Sequence, residues 1–531
     1  MPKCTIDGKP IEVPEGTNIL TAALSNGIHI QHFCWHADLS VDGNCRTCMV
    51  EIEKVPKLQI ACNTVVQEGM VVRSSSPKAR EAQRSALEFL LLNHPIDCPV
   101  CDQAGECYLQ DNYMRYGLYS AEVELEDKVR KRKLVDLGPI MLDAERCVLC
   151  SRCIRFENEV TRTSSFQFRE RGGHTQITTF DERPISHEYA GNLADVCPVG
   201  ALLSHDFRFK MRVWFLEETA SVCPGCSTGC NITIDHRDGE AQRLRPRRNL
   251  EVNKSWMCDP GRKLVKEIAG ESRLSGARLR RAASWEGVPV SAALDEIGAR
   301  LKEAGSASAF LATPQGTNED LFAFRTLAEA VGGMLDFRVG DPQDRVRVQL
   351  DQVLQRADRN PNTQGCLDLG LGRSGVAAIL EACRAGKIKA LLLQGPELLR
   401  WAEAAEAVAK VPFIAVMATH EGPELDRVQA LLPAAMWAEV EGTFTNYARR
   451  VQRIRRAFAA PGSAMPRWEL SVGLLHRLGK PLPASSARDM FAHLTRATAD
   501  YAGLDYKLLG SSGRALASGE PTQSEARAQP R

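Results

Sequence analysis

Apolar and polar positions alternate with a period of two over the first 75 residues. Thr5–Asp7 leads through Gly8-Lys9-Pro10 to Ile11–Val13, which predicts a hairpin. Thr17–Asn26 then takes a helical pattern, with Thr17 as its cap and Gly27 as its stop. After a long loop, Met49–Glu53 alternates again. Pro77–Asn93 predicts a second helix with Ala86, Leu87, Leu90 and Leu91 on one face, and Pro95 ends it. The run Lys128–Lys133 offers a basic docking patch or, more simply, a solvated loop. Beyond Gly261 the texture becomes α/β. Amphipathic helices such as Ser291–Glu303 alternate there with short apolar strands, namely Ala309–Leu311, Ala390–Leu393 and Phe413–Met417. Ser511–Arg531 is rich in small, proline and charged residues and predicts a disordered tail.

A chain of 531 residues has room for several domains. Its formal net charge of +1 gives no electrostatic case for nucleic acid or for an anionic membrane surface. No apolar run approaches the roughly 18 residues of a membrane span. Met1–Asp7 lacks a signal core and a twin-arginine signal, so the expectation is a cytoplasmic protein that meets a membrane only through a partner. Cysteines stay reduced in that compartment, and eighteen of them therefore point to metal rather than disulfides.

Fifteen of those cysteines and one histidine fall into four sets. Cys34, Cys45, Cys48 and Cys62 form the first, and His94, Cys98, Cys101 and Cys107 the second. The third is Cys147, Cys150 and Cys153 with a distant Cys197-Pro198. The fourth is Cys223, Cys226 and Cys230 with a distant Cys258. Four ligands per set is what a [2Fe–2S] or [4Fe–4S] cluster requires. Gly43 before Cys45-Arg46-Thr47-Cys48 lets backbone amides turn toward the sulfurs. Zinc competes with iron–sulfur at the first set, at the second, as a Cys3His site unless His94 merely caps a helix, and at the fourth, as a zinc ribbon. The C-x2-C-x2-C triad of the third set is the ferredoxin pattern. Cys4, Cys366 and Cys383 lack partners at ligand spacing and read as buried structural thiols.

The order hairpin, helix, cysteine loop, strand, late cysteine is that of a β-grasp ferredoxin. The segment Asn93–Cys107 resembles the cluster segment of the large iron–sulfur subunit of respiratory complex I in the bacterial NADH:quinone oxidoreductases. Cys34-Trp35-His36 with Gly43–Cys48 resembles the [2Fe–2S] loop of that family, Asn192–Gly200 its Cys-Pro segment, and Val252–Asp259 the closing segment of its fourth cluster. Residues after 270, through Glu441–Asn446, are similar to a shortened molybdopterin-oxidoreductase domain.

The resemblance implies an α/β multidomain chain. Its parts would be a [2Fe–2S] ferredoxin-like domain over 1–76, a His/Cys3 [4Fe–4S] domain over 77–137, a [4Fe–4S] ferredoxin-like domain over 138–215 and a Cys4 [4Fe–4S] domain over 216–271. A scaffold domain over 272–510 and the tail 511–531 would follow. It implies one [2Fe–2S] and three [4Fe–4S] clusters, the fourth off the main path. Electrons would come from an NADH/FMN flavoprotein subunit and leave through a two-cluster ferredoxin-like subunit toward the quinone-site subunits, at the cytoplasmic face of the inner membrane. The chain would be part of an oxidoreductase and translocase without an active site or catalytic residues of its own. The competing enzyme is the catalytic subunit of an NAD-linked formate dehydrogenase. It would need a cysteine or selenocysteine near Leu335–Gly340, and no cysteine lies between Cys258 and Cys366, so no molybdopterin is expected.

Overall fold

The computed structural model describes residues 1–117, 120, 129–131, 133–268, 270, 272–282, 284–337 and 353–516. The chain divides into two compact units, Met1–Leu216 and Glu217–Arg531. Among the described residues no helix is long and apolar enough to cross a membrane.

The first unit opens with the expected hairpin, β1 (Lys3–Ile6) and β2 (Lys9–Glu12). Its turn is the pair Asp7-Gly8, both at positive φ, rather than Gly8–Pro10. Two such residues give the turn whose twist matches the strands, and Lys9 is thereby drawn into β2. The helix α1 spans Ile19–Ser25. Its cap is Asn18, whose Oδ1 accepts from Thr21 N at 2.8 Å, and Thr17 instead donates to Pro14 O. With β3 (Met49–Ile52), β4 (Gln59–Ile60) and β5 (Met70–Arg73) the sheet runs β2-β1-β5-β3-β4, with β5 parallel to β1. Ile6, Ile19, Leu20, Val50 and Val72 fill the space between sheet and helix.

The helix α2 (Pro77–Leu92) starts at Ser76, whose Oγ accepts from Ala79 N, with proline in the first turn where no amide is needed. Next come α3 (Tyr108–Tyr116), β6 (Val135–Asp136), β7 (Ile140–Leu142), α4 (Arg152–Phe156), the hairpin β8 (Phe166–Arg169) and β9 (Gln176–Thr179), α5 (Gly191–Val196), and β10 (Leu202–Ser204). One apolar core joins Phe33, Leu87, Leu109, Val148, Val199 and Ala201 with Cys34, Cys107 and Cys150. Three of the four ligand sets therefore contribute to a single core.

The second unit begins with the antiparallel sheet β11 (Glu217–Val222), β12 (Asn231–Arg237) and β13 (Glu240–Pro246). A seven-stranded sheet follows, built from β14 (Ala277–Arg281), β15 (Ser284–Val288), β16 (Ser308–Ala312), β17 (Met334–Phe337), β18 (Ala390–Leu393), β19 (Phe413–Ala418) and β20 (Ala430–Pro433). Its order is β15-β14-β20-β19-β18-β16-β17. The strands from β20 through β17 in that order are parallel, whereas β14 runs antiparallel to β20. Side chains alternate between its faces. Phe310, Leu392 and Met417 meet the helices Val290–Ala304, Asn318–Val331 and Arg467–Arg477, while Leu311, Leu391 and Val416 meet Val376–Arg384 and Ala402–Val408. The chain closes on β21 (Gly442–Thr445), β22 (Arg450–Ile454) and β23 (Arg514–Ala515). The tail expected from Ser511 thus contains a strand paired with β22, and residues 517–531 of that expectation lie outside the described residues.

Candidate metal centres

In the first set, the loop between α1 and β3 carries three cysteines, and Cys62 sits in the turn after β4. The sulfur of Cys34 meets those of Cys45 and Cys62, and Cys48 meets Cys62. The amides of Gly43 and Cys45 point at Cys34 Sγ, and those of Ala61 and Cys62 at Cys48 Sγ. Hydrogen bonds from the Cys45 and Cys62 thiols to Cys34, and from Cys62 to Cys48, together with these amides, hold the Cys34 and Cys48 thiols below their ordinary value, and the same bonds push Cys45 and Cys62 above it. Backbone N–H groups aimed at sulfur are the feature that stabilises thiolate ligands.

The second set lines a cavity of about 510 Å³ that holds His94, Cys98, Cys101, Cys107 and Gly200. His94 follows the end of α2, and Cys107 is the residue from which α3 starts. Burial raises the thiols of Cys101 and Cys107, the latter to about 11. A Cβ on Gly200 would stand 2.2 Å from Cys101 Sγ, so only glycine fits there. Gly200 belongs to the Cys-Pro segment of the third set, and Tyr108 N donates to Pro198 O at 3.0 Å. Asp97 pairs with Arg146 at 3.1 Å and with Lys133 at 3.2 Å, and Lys133 also reaches Glu145 at 3.2 Å. The described residues of the basic run form a loop with Lys133 exposed and ion-paired, while Lys128 and Arg132 lie outside the described residues.

The third set curls around itself because Leu149 and Ser151 take positive φ values of 53° and 61°. Leu149 N–H donates to Cys147 Sγ at 3.4 Å. Side chains rarely adopt that backbone, and its adoption twice in one C-x2-C-x2-C loop marks a constraint on the sulfurs. Cys197 closes α5, and Cys153 senses Cys150, Cys147 and Cys197 together. Burial pushes the Cys147 and Cys197 thiols up to about 12.

In the fourth set, Cys223 N donates to Cys230 O at 2.8 Å across the β11–β12 turn, and Cys258 precedes the helix Asp259–Lys263. All four cysteines line a cavity of about 230 Å³. A Cβ on Gly261 would lie 3.2 Å from Cys223 Sγ and 3.4 Å from Cys258 Sγ. Burial pushes the Cys258 thiol up to about 12.

Sulfur contacts link the first set, shared cavities are lined by the second and fourth, and the thiols of the third act on one another. Among the described residues, however, no three His, Cys, Asp or Glu side chains stand close enough to hold a single metal ion. Buried thiols with raised proton affinity become ligands only when metal charge displaces their protons. Sulfur-rich pockets kept clear by Gly200 and Gly261 suit a multi-atom group rather than a single ion. Cys4, Cys366 and Cys383 are buried, as expected of structural thiols, Cys4 in the core that also holds Cys48 and Cys62, and Cys366 and Cys383 in the two layers flanking the large sheet. Spacing did not reveal Gly200, nor Arg152 and Arg155, which act across segments. The one trace in sequence was their position beside ligand cysteines.

Five families match segments of the chain in order. Residues 3–77 match a 2Fe-2S iron-sulfur cluster binding domain, 83–121 the NADH-ubiquinone oxidoreductase-G iron-sulfur binding region, and 138–203 the ferredoxin-like domain of NADH-quinone oxidoreductase subunit 3. Residues 216–270 match the molybdopterin oxidoreductase Fe4S4 domain and 353–477 molybdopterin oxidoreductase. Fold and ligand sets thus define a mixed α/β iron–sulfur protein with 2Fe–2S and 4Fe–4S binding domains.

Its relatives make the assignment narrower. The G subunit of the NADH-quinone oxidoreductase of Rickettsia bellii is 36% identical over 405 residues, covering 73% of this chain and 57% of that protein. The second G-type subunit of the NADH-quinone oxidoreductase of Rhizobium meliloti is 39% identical over 62% of this chain and 39% of its own length. The mitochondrial NADH-ubiquinone oxidoreductase 78 kDa subunit of Neurospora crassa is 38% identical over 62% of this chain and 44% of its own length. These homologues and the two NADH oxidoreductase domain matches support an identification of the chain with the G subunits of NADH-quinone oxidoreductases. It spans less than two thirds of the length of these relatives.

Proposed function

We propose that this chain is an iron–sulfur electron-transfer subunit of the peripheral arm of an NADH:quinone oxidoreductase. Its sets would hold one [2Fe–2S] cluster on Cys34, Cys45, Cys48 and Cys62, and three [4Fe–4S] clusters on the sets of His94, Cys147 and Cys223. When bound, such clusters accept and release single electrons. The chain's own residues keep them dry in the core around Phe33, Leu87 and Val148, direct amides at sulfur, and place neutral imidazole in one set. The observation that supports the reading best is that members of three of the four sulfur-rich sets, Cys34, Cys107 and Cys150, share one core.

On this reading the partners are an NADH/FMN flavoprotein subunit, a two-cluster ferredoxin-like subunit and the quinone-site subunits. The chain would sit at the cytoplasmic face of the inner membrane, held by the complex. The absence of a cysteine between Cys258 and Cys366 sets the formate dehydrogenase reading aside. Elemental analysis of the anaerobically purified chain tests the proposal. Full occupancy gives about 14 irons per chain with matching sulfide. Stoichiometric molybdenum or tungsten would instead make the chain a substrate-converting enzyme, and zinc in place of iron would end the electron-transfer reading.

A further inference from the structure

Two arginines beside the third ligand loop tie it to the first. Arg155 donates to the carbonyls of Ser40, Cys34 and Cys150. Arg152 lies deeper, at 3% exposure. Its Nη2 donates to Trp35 O at 2.6 Å and its Nη1 to Val196 O at 3.2 Å, and the guanidinium stands 5.1 Å from the centre of the Tyr108 ring. Trp35 follows Cys34, Tyr108 follows Cys107, and Val196 precedes Cys197. One side chain therefore touches a neighbour of a ligand in each of the three sets of the first unit. His32 packs edge-on against both Trp35, at 5.5 Å, and Tyr108, at 5.8 Å, which closes the aromatic side of this site.

The bonding of Arg152 leaves its charge unanswered. Its partners are two neutral carbonyls and a ring, and its Nε has no hydrogen-bond partner. Among the described residues no carboxylate pairs with it. A buried guanidinium without an anion is costly, and Arg cannot shed its proton. The negative charge available nearby is that of thiolate ligands, and Cys150 lies within the field of both Arg152 and Arg155.

We propose that Arg152 is the shared counter-cation of the three clusters in the first unit, a positioning residue that raises their potentials together. The proposal rests on the reading that those sets hold clusters. A fixed positive charge favours the reduced, more negative state of each cluster, so its removal lowers all three potentials. The Tyr108 ring, next to Cys107 in the chain, places the guanidinium on the side of the second set.

The test compares the anaerobically purified full-length chain with its Arg152→Gln and Arg152→Lys variants. Iron and sulfide are counted in each, and potentials are read by EPR-monitored redox titration. Arg152→Gln lowers the potentials of all three sets, and Arg152→Lys keeps them near the parent values. Parent potentials in Arg152→Gln would overturn the proposal. If Arg152→Gln does not assemble its clusters, Arg152→Lys decides. Full iron content supports a need for charge, while an equal failure shows that guanidinium geometry alone is at stake and overturns the proposal. A parent chain without iron and sulfide would instead refute the cluster reading itself.

Discussion

At the scale of single residues, the second set depends on atoms from two distant segments. On the proposed reading His94 would supply imidazole where the other sets have only sulfur, which would leave its cluster less negative. Gly200 supplies space. The Gly200→Ala variant should push Cys101 off its position, since the added Cβ would stand 2.2 Å from its sulfur. The expected outcome is the loss of about 4 irons per chain, with the first set's [2Fe–2S] spectrum retained. Iron analysis with EPR reads both, and unchanged iron would mean that Cys101 is not a ligand.

At the scale of elements, the second unit depends on how the helix Asn318–Val331 begins. Thr317 caps it in a reciprocal box with Asp320. Glu319, fully buried in its first turn, accepts from Thr443 N and from the Tyr506 hydroxyl, both at 2.8 Å. Burial raises its carboxyl from the ordinary 4.5 to about 7. The folded chain then holds more protons than the unfolded chain between those values. Stability is therefore fullest below pH 4.5, falls as pH rises toward about 7, and has lost this contribution above that. The difference is roughly 3 kcal/mol. Denaturant midpoints of the second unit measured across this range should show the decline. Glu319→Gln keeps one acceptor oxygen and should flatten it, and an equal slope in that variant would assign the pH dependence elsewhere.

At the scale of the whole molecule, the two units are built on different kinds of core. In the first, ligand cysteines are themselves core residues, packed with Phe33, Leu87 and Leu109. In the second, the two layers flanking the seven-stranded sheet contain none of the ligand cysteines, and only the smaller core around Val222 and Ile232 includes Cys223 and Cys230. Removal of iron by a chelator should therefore act unevenly. Hydrogen exchange should accelerate at least 10-fold, about 1.4 kcal/mol of lost protection, around residues 94–107 and 147–153. Amides of β16, β18 and β19 should stay protected. Uniform loss across both units would show that the large sheet also depends on its metal.

The sequence by itself determined four candidate ligand sets and the order of the iron–sulfur and molybdopterin-type segments. Metal ligation demands particular atoms, and C-x2-C loops keep those atoms close along the chain, so the chemistry is written locally. The same holds for the β-grasp order and for the apolar strands of the α/β sheet, whose runs are buried on both faces. Boundaries were less legible where short-range choices compete. Asn18 rather than Thr17 caps α1, Asp7-Gly8 rather than Gly8–Pro10 makes the turn, and Arg514–Ala515 forms a strand within an expected tail. Only the tertiary structure decided that three sets share one core, that Gly200 of one set makes room for Cys101 of another, and that Arg152 touches the surroundings of all three. Those relations join residues scores of positions apart, and steric room and buried charge exist only once the chain has folded.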